Sequence, residues 1–344
     1  MKSDKREPDF GNLLKVLARE VPARPTLFEL FLNAPLYRKA VGPAMAARIE
    51  SGPDPDLALR VQGFRALGYD YATLNLPNFR FPRAAQAHAA TISLNDGGMI
   101  ADRASFDRYD WPEPDAADYA ALDRLSDGLP ARMKLIVMGP CGVLENAVGI
   151  VGYETLCYLL LDDPALVSDL FEAIGSRLTR YYERAVRHER VGAIIANDDW
   201  GFKTQPMLTP EQMREHVVPW HRAIVATAHR AGKPAILHSC GNLESLMDDI
   251  VEDIGFDGKH SYEDAILPVE DFYERFGRRI AVLGGMDVDF LIRNPPETVA
   301  ARARAMLDRA AERGGYALGT GNSVPEYLPD EQYFAMARAA IDDL

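Results

Sequence analysis

The sequence predicts a single (β/α)₈ barrel preceded by a short helical extension. Short β-rich runs alternate along the chain with longer segments of helical periodicity, and no internal repeat interrupts the alternation. Several of the β-rich runs are almost continuously apolar, which is typical of parallel strands that helices cover on the outside. Such an alternation is compatible with a doubly wound sheet or a closed barrel, and eight units favour the barrel.

Eight segments carry the strand pattern, and together they account for every strand of the predicted barrel. In chain order they are 26–32 (TLFELFL), 70–76 (DYATLNL), 134–138 (KLIVM), 193–196 (AIIA), 234–238 (PAILH), 256–260 (FDGKH), 280–283 (IAVL) and 316–318 (YAL). We expect residues 1–24 to form the helical extension and residues 25–344 to form the barrel. The irregular stretch 77–130 is rich in Pro and is expected to cover the barrel mouth after the second strand.

Helix signals lie between these runs. Thr209 is a good N-cap, Pro210 suits the first helical position, and Glu211 places an acid in the first turn, so a helix is expected from there to about Ala231. Two further amphipathic segments span 163–190 and 296–313, and the second ends before two glycines.

Composition and charge restrict the partners of the protein. Apolar residues make up 47% of the chain and charged residues 26%, which is ordinary for a globular protein with a sizeable core. The net charge of −13 disfavours nucleic acid and anionic membrane surfaces as partners. We found no apolar run long enough to span a bilayer, no secretory signal and only three scattered cysteines, so the cytoplasm is the expected location.

Residues that directly follow barrel strands face the mouth, where active sites of this architecture lie. Seven of the eight predicted strands are followed by polar, titratable or metal-binding side chains. A barrel with a purely structural role would not need them, although strand ends border loops, which are polar in any protein.

The sharpest local feature is the pair His238 and Cys240. One intervening residue on an extended segment places both side chains on the same side, and imidazole with thiolate suits zinc. The alternative is that Cys240 is a small buried residue and His238 a hydrogen-bonded core residue, because two ligands do not make a site.

Two adjacent carboxylates, Asp198 and Asp199, follow the fourth predicted strand. They would repel each other unless one is protonated, hydrogen-bonded or paired with a cation, and Lys203 is a candidate for that cation. These three residues are therefore catalytic candidates, although Asp199 could equally cap the next turn. Asp287 and Asp289 present the same alternatives.

Four segments of the chain resemble the uroporphyrinogen decarboxylase superfamily. They are HSCGN at 238–242, GGMD at 284–287, GTGNSVPEYLP at 319–329 and NDDWGFKTQPMLTPEQMREHVVPW at 197–220. The resemblance is clearest from about Leu135 to the C-terminus. It implies a barrel fold and one of two activities, cofactor-free decarboxylation of uroporphyrinogen or zinc-dependent methyl transfer between a corrinoid and a thiol or other acceptor.

The residues favour the methyltransferase branch, of the type that transfers methyl groups from methylcobamide to coenzyme M. True decarboxylases carry an arginine-rich Met-Arg-Gln-Ala-Gly-Arg segment near the first strand and a Phe-Ser-Asp motif after the second. Here those regions read RPTLFELFLNAPLY and YDYATLNLPNF, and neither motif is present. The His-x-Cys pair belongs to the methyltransferase branch.

In that branch the resemblance implies that His238 and Cys240 bind zinc, with a late cysteine as third ligand. Thr320 stands at that late position and is a poor ligand, so Glu263 is the expected replacement, with His260 as the alternative. An open fourth position would bind a thiol, or an ether or alcohol if a carboxylate replaces the thiolate.

The resemblance also implies a partner. The chain lacks the Asp-x-His-x-x-Gly motif of corrinoid-binding proteins, so a separate corrinoid protein is expected to supply the cobalamin. The substrate would be a small methyl donor or acceptor. The side chains expected to contact it are Asn75, Tyr262, Asp287, Thr320, Asn322 and Ser323.

Two other functions stay open at this stage. A decarboxylase-like lyase acting on a smaller acid would use Asp198 or Asp199 as proton donor, with His238 as a bystander. A non-catalytic barrel that binds a tetrapyrrole or corrinoid as a subunit of a larger complex is the other, and Thr320 supports it. The methyl donor, the direction of transfer and the oligomeric state do not follow from the sequence.

Overall fold

A computed structural model of the protein describes residues 6–83, 94–95 and 98–341. Within them, seven parallel strands form one sheet in which each strand pairs with the next along the chain. The strands are β1 (Tyr71–Asn75), β2 (Lys134–Met138), β3 (Val191–Asn197), β4 (Ala235–His238), β5 (Gly258–His260), β6 (Ala281–Leu283) and β7 (Tyr316–Ala317). Sequential parallel order gives the curled, barrel-like α/β sheet that the apolar runs predicted.

The first predicted strand, residues 26–32, occupies the gap between β7 and β1 without forming a regular strand. On one side it is joined by bridges, because Phe28 N–H donates to the carbonyl of Leu318, whose own N–H donates to that of Thr26. A side chain at Gly319 would lie 1.7 Å from the Phe28 carbonyl oxygen, so only glycine allows this approach.

On the other side, side chains replace the ladder of backbone hydrogen bonds. The Tyr71 hydroxyl accepts from the N–H of Glu29 and donates to its carbonyl, and the Thr73 hydroxyl donates to the carbonyl of Leu30. The structure therefore confirms a barrel-like parallel α/β fold with seven regular strands, whereas the first of the eight predicted strands is irregular and is held by a few backbone bridges on one side and by side-chain hydrogen bonds on the other.

Helices cover the outside of this sheet. They are α1 (Gly11–Leu17), α2 (Ala34–Val41), α3 (Pro43–Glu50), α4 (Pro55–Ala66), α5 (Arg103–Arg108), α6 (Ala121–Ser126), α7 (Val143–Val151), α8 (Tyr153–Asp162), α9 (Pro164–Ala185), α10 (Pro210–Gln212), α11 (Val218–Arg230), α12 (Val269–Phe276), α13 (Val288–Arg293), α14 (Pro296–Ala310) and α15 (Asp330–Ala337). Short 3₁₀ turns span Pro114–Ala116 and Glu244–Leu246, and π-helical turns span Met213–Val217 and Asp249–Ile254.

The helix starts follow the sequence signals. Thr209 accepts a hydrogen bond from Gln212 N–H while the Gln212 side chain accepts from Thr209 N–H, which is a complete capping box. The helix then widens into the π-helical turn before α11. Pro219 lacks an N–H and its ring would clash with the carbonyl four residues earlier, which explains the wider turn.

The N-terminal region covers the end of the barrel opposite the mouth. Phe10 lies against Gly192 at the start of β3, and Leu17 of α1 lies against Gly258 at the start of β5. Residues 1–5 of the predicted extension, residues 84–93 and 96–97 of the predicted mouth cover, and residues 342–344 lie outside the described residues. Whether residues 1–24 and 25–344 form separate units stays a prediction.

None of the described helices is by itself long and apolar enough to cross a bilayer. Only α7 and α8 together have sufficient length and hydropathy, and they meet at an angle of 95°.

Candidate metal centre and substrate pocket

Three neighbouring strands bring the candidate residues together. Asn197 of β3, His238 of β4 and His260 of β5 stand in register at the carboxyl ends of their strands. The chain after β3 and β4 therefore carries Asp199 and Cys240 into the barrel mouth, where enzymes of this architecture place their chemistry.

Asp199, His238 and Cys240 form a compact group of potential metal ligands. One donor atom from each lies within 4.8 Å of the others, and His238 Nε2 is 4.0 Å from Cys240 Sγ. Asp199 Oδ1 also accepts a hydrogen bond of 2.8 Å from the Cys240 N–H, which holds the two segments together. The group offers one nitrogen, one sulfur and one oxygen donor, a combination that zinc accepts.

The hydrogen bonds of the two histidines determine which ring nitrogen each presents. The Thr320 carbonyl can only accept, so His260 Nε2, 3.2 Å away, carries its proton. A neutral His260 then has a bare Nδ1, which accepts from His238 Nδ1 at 2.7 Å. His238 Nε2 is consequently unprotonated, and its lone pair faces Cys240. This is the tautomer that a metal requires, with the second ring nitrogen anchored by a neighbour.

In the absence of a cation, burial keeps the side chains of His238 and Cys240 uncharged. Burial lowers the pKa of His238 to about 4, so its imidazole is neutral at neutral pH. Burial, followed by the negative charge of Asp199, raises the pKa of Cys240 to about 12. Two donors, the Ser261 hydroxyl at 3.3 Å and the Asn322 amide at 3.4 Å, point at the sulfur and favour a thiolate once a cation is present. Metal binding at this group would therefore release a proton.

The hydroxyl and N–H groups of Thr320 form hydrogen bonds outside the donor group of Asp199, His238 and Cys240. Its hydroxyl is 2.5 Å from Glu29 Oε2 and 2.6 Å from the Asn322 carbonyl oxygen, and its N–H donates to Glu29 Oε1. A single hydroxyl proton cannot serve both oxygens, so a protonated Glu29 satisfies the arrangement by donating to Thr320 while Thr320 donates to Asn322. Burial raises the pKa of Glu29 to about 8, which agrees with a neutral carboxyl group.

Asp198 turns away from the mouth. Its carboxylate is fully buried and accepts from the N–H groups of Val143, Leu144 and Glu145, the first turn of α7, and from His221 Nε2 at 2.8 Å. A side chain at Gly142 would lie 2.1 Å from Asp198 Cβ, so glycine permits this contact. The bonds assign Asp198 a structural task, since a helix N-terminus stabilises a carboxylate; its predicted role in catalysis gains no support from them.

The other predicted residues fall into three places. Lys203 is exposed in the loop after β3, and no ion pair joins it to Asp198 or Asp199. Asn75 donates to the carbonyl of Gly139 and joins the ends of β1 and β2. The remaining predicted contacts lie around one pocket.

A pocket of about 410 Å³ opens beside the donor group. Four residues predicted to contact substrate line it, together with Glu263, Asp289 and the apolar Val288, Ile292 and Pro325; the four are Tyr262, Asp287, Asn322 and Ser323. Its volume lies within the range of small-molecule sites. Asn322 lines this pocket and also donates to the Cys240 sulfur, so the pocket adjoins the surroundings of the donor group. Glu263, the expected third ligand, borders the pocket and is not part of the group.

Three titratable residues near the site were missed by sequence reasoning. Glu29, Lys259 and Glu145 are all largely enclosed, and burial with the charges of the two aspartates raises the pKa of Glu145 to about 8. The signal for the first two was available, because each is a charged residue inside a predicted strand, a position that normally holds apolar side chains. Glu145 lies in an apolar helical run and gave a weaker signal.

Comparison with known proteins identifies a family model that matches this chain and individual proteins that are similar to it. The family model described as Uroporphyrinogen decarboxylase (URO-D) matches residues 88–342. Uroporphyrinogen decarboxylase of Burkholderia thailandensis is 24% identical over 284 residues, which are 79% of this chain and 72% of that protein. The corresponding protein of Chloroflexus aggregans is 26% identical over 189 residues, 52% of this chain and 49% of that protein.

A solved structure described as a methyltransferase from Methanosarcina mazei has the same fold. It superposes with a TM-score of 0.68 at 17% identity and covers 96% of this chain and 97% of that chain. At this identity the likeness establishes the fold and leaves the reaction to the site residues.

Proposed function

The chain belongs to the uroporphyrinogen decarboxylase family, and on that premise we propose that it is a zinc-dependent methyltransferase. The observation that carries the proposal is the donor group of Asp199, His238 and Cys240 at the ends of β3 and β4. A cofactor-free decarboxylase has no need of an imidazole, a thiol and a carboxylate gathered within bonding distance of one ion.

The residues fit a catalytic zinc site. Three protein donors leave one coordination position for a substrate, and the hydrogen-bonded histidine pair presents the Nε2 lone pair of His238 to the group. When bound, zinc supplies a Lewis acid that favours the anionic form of a thiol or hydroxyl group. Glu263 is replaced as third donor in this proposal by Asp199, which lies closer to the other two.

The surrounding side chains prepare the group for that role. Ser261 and Asn322 donate to the Cys240 sulfur and stabilise its thiolate form. His260 fixes the orientation of His238, and Thr320 fixes His260 through its carbonyl. The substrate, a small methyl donor or acceptor, occupies the neighbouring pocket, where Ser323 and Asn322 offer polar contacts.

The other participant in the transfer is a corrinoid on a partner protein. The family resemblance supports this choice, and the mouth of the barrel is the side from which the corrinoid would approach. The proposal covers transfer in either direction, from the corrinoid to a thiol or from an ether or alcohol derivative to the corrinoid.

Metal content tests the first half of the proposal. Protein purified without chelators should contain close to one zinc per chain, and Cys240→Ser should lose most of it while staying folded. Cys141→Ser is the matched control, because Cys141 is also half-buried after a strand end but lies outside the donor group. Full zinc retention by Cys240→Ser, or zinc loss by Cys141→Ser alone, would contradict the assignment.

The third donor is tested by two carboxylate variants. Asp199→Asn keeps an oxygen for the Cys240 N–H but removes the anionic donor, and should weaken zinc binding by about 100-fold or more. Glu263→Gln should bind zinc as tightly as the wild type. The reverse result would restore the carboxylate that the sequence favoured.

Activity tests the second half. Zinc-loaded protein should demethylate methylcobalamin in the presence of one or more thiols, or methylate cob(I)alamin from methyl ethers, and zinc-free protein should do neither. Zinc-independent turnover, or none with a broad panel of thiols and methyl ethers, would contradict the methyltransferase.

A decarboxylase is the second candidate, because the curated relatives carry that name. The pocket argues against uroporphyrinogen as its substrate. Its wall includes Glu263, Asp287 and Asp289 and no lysine or arginine among the described residues, which would repel a molecule with eight carboxylates. We expect no conversion of uroporphyrinogen to coproporphyrinogen, and conversion at about 0.1–10 per second would overturn that expectation.

A further inference from the structure

Lys259 is a buried cation next to the donor group. It lies in β5 between Gly258 and His260 and is 4% exposed, although lysine is rarely enclosed to this extent. Successive residues of a strand point to opposite faces, so His260 faces the barrel interior and Lys259 faces outward. Its ammonium nevertheless reaches the chain ends that carry the site.

The ammonium group of Lys259 contacts the carbonyl groups of two residues that adjoin Cys240. Lys259 Nζ donates to the carbonyl of Ser261 at 2.7 Å and lies 3.4 Å from that of Ser239. Ser239 precedes Cys240 in the chain, and the Ser261 hydroxyl donates to the Cys240 sulfur. The ring of Tyr262 lies 4.6 Å from Nζ and that of Phe272 lies 5.6 Å away, which stabilises a charged ammonium without neutralising it.

The carboxylate and thiol groups around it give Lys259 electrostatic partners. Burial lowers the pKa of Lys259 to about 8, while the charges of Cys240, Asp199 and Glu263 oppose that shift. The two backbone carbonyls can only accept and the Tyr262 ring face attracts a cation, so these contacts favour the ammonium form, whose field acts on the donor group through a poorly solvated region.

Charge counting shows what this cation does to the proposed centre. A thiolate and a carboxylate together cancel the two positive charges of a zinc ion, since His238 is neutral. Lys259 adds one further positive charge, so the ion, its three donors and Lys259 together become neutral once one more anion binds. Glu263 lies at the pocket wall, outside this counted assembly. Without Lys259 the same anion would leave the buried assembly with a net negative charge.

We propose that Lys259 supplies the counter-charge that makes this site bind its reacting group as an anion, a thiolate or an alkoxide. The inference rests on the proposed metal centre and adds the chemical state of the ligand. Lys259 acts through its charge and does not itself touch the reacting atoms.

This role gives removal of the charge two effects of opposite sign. The metal ion is itself a cation, so Lys259→Met should bind it as tightly as the wild type or more tightly, by up to about tenfold. An anionic ligand should then bind about tenfold more weakly. Damage to the site by misfolding would weaken both, so the opposite signs distinguish charge from structure.

The experiment uses the full chain loaded with cobalt(II), with 2-mercaptoethanol as the thiol. Cobalt(II) affinity is measured by competition with a chelator, and thiol binding is measured at one pH from the thiolate-to-cobalt absorption band. Lys259→Gln removes the charge but can still donate to one carbonyl and should behave like Lys259→Met. Lys259→Arg keeps the charge and should stay near the wild type.

Lys233→Met is the matched control. The Lys233 ammonium also donates to two backbone carbonyls, of Val186 and His188, and burial also lowers its pKa to about 8, but it has no contact with the donor group. It should change neither affinity.

Several results would overturn the inference. Equal thiol binding by Lys259→Gln and the wild type would mean that Lys259 only links the chain segments after β4 and β5 and has no electrostatic role. Failure of both uncharged variants to fold would lead to the same conclusion. Joint loss of metal and thiol binding in the folded variants would point to structural damage. A wild type that binds neither cobalt nor thiol would instead contradict the proposed function itself.

Discussion

Replacing Glu29 by glutamine should remove a pH dependence of stability without removing a hydrogen bond. In the wild type Glu29 Oε1 accepts from Thr320 N–H, and its protonated Oε2 donates to the Thr320 hydroxyl. Glutamine offers the same acceptor and a donor in the same place, so Glu29→Gln preserves the arrangement in permanently neutral form.

The magnitude follows from the shifted pKa. Burial raises the pKa of Glu29 from an ordinary value of 4.5 to about 8. Between these two values the folded protein holds a proton that the unfolded chain has released, so rising pH destabilises the fold. The contribution is complete below about pH 4.5 and declines by about 1.4 kcal/mol per pH unit up to about pH 8.

The assay is urea denaturation of the wild type and of Glu29→Gln at several pH values between 5 and 8. All other titrating groups are common to both proteins, so the difference between their unfolding free energies isolates Glu29. The variant should gain on the wild type by about 1.4 kcal/mol for each pH unit. Glu172→Gln, which changes an exposed glutamate on α9, is the control and should follow the wild type.

Parallel pH profiles for the wild type and Glu29→Gln would refute this reasoning. They would mean that Glu29 is ionised in the fold and that the Thr320 hydroxyl donates to it. The carbonyl of Asn322 would then face a lone pair at 2.6 Å, and the derived proton positions around Thr320 would be wrong.

Two further predictions concern the supports of the site. His260→Phe keeps an aromatic ring of similar size but removes the acceptor that orients His238. Zinc affinity, measured by competition with a chelator, should therefore fall about 10- to 100-fold. An unchanged affinity would mean that the histidine pair does not contribute to metal binding. Gly142→Ala places a Cβ 2.1 Å from Asp198 Cβ and should cost about 3 kcal/mol or more in urea denaturation. Gly98→Ala should cost little, because a Cβ there meets no atom of the described residues within 4 Å apart from its chain neighbours. Equal costs for the two variants would contradict the close packing of Asp198 on α7.

Most of the regular strands could be predicted because they are short apolar runs followed by a polar turn, as in 134–138 and 280–283. The segment 26–32 carried the same pattern but forms only isolated bridges. Its partners are the side chains of Tyr71 and Thr73, about forty residues away, and no local pattern encodes such a tertiary contact.

The candidate site shows the same division. His238 and Cys240 were accessible because their spacing on one strand end determines their relative position. The third donor was not, because it depends on how the next strand end turns. Asp198 is drawn to the first turn of α7, and the extended chain then directs its neighbour Asp199 the other way, toward Cys240. Glu263, the replacement that the sequence analysis favoured, borders the pocket instead.

The most direct test of the central claim is X-ray absorption at the zinc edge of the full chain, with Cys240→Ser measured alongside. We expect one sulfur at about 2.3 Å and nitrogen or oxygen donors at about 2.0–2.2 Å, including one imidazole, with the sulfur shell absent in the variant. A site with two protein sulfurs, a sulfur shell that survives Cys240→Ser, or protein without zinc would contradict the donor group of Asp199, His238 and Cys240.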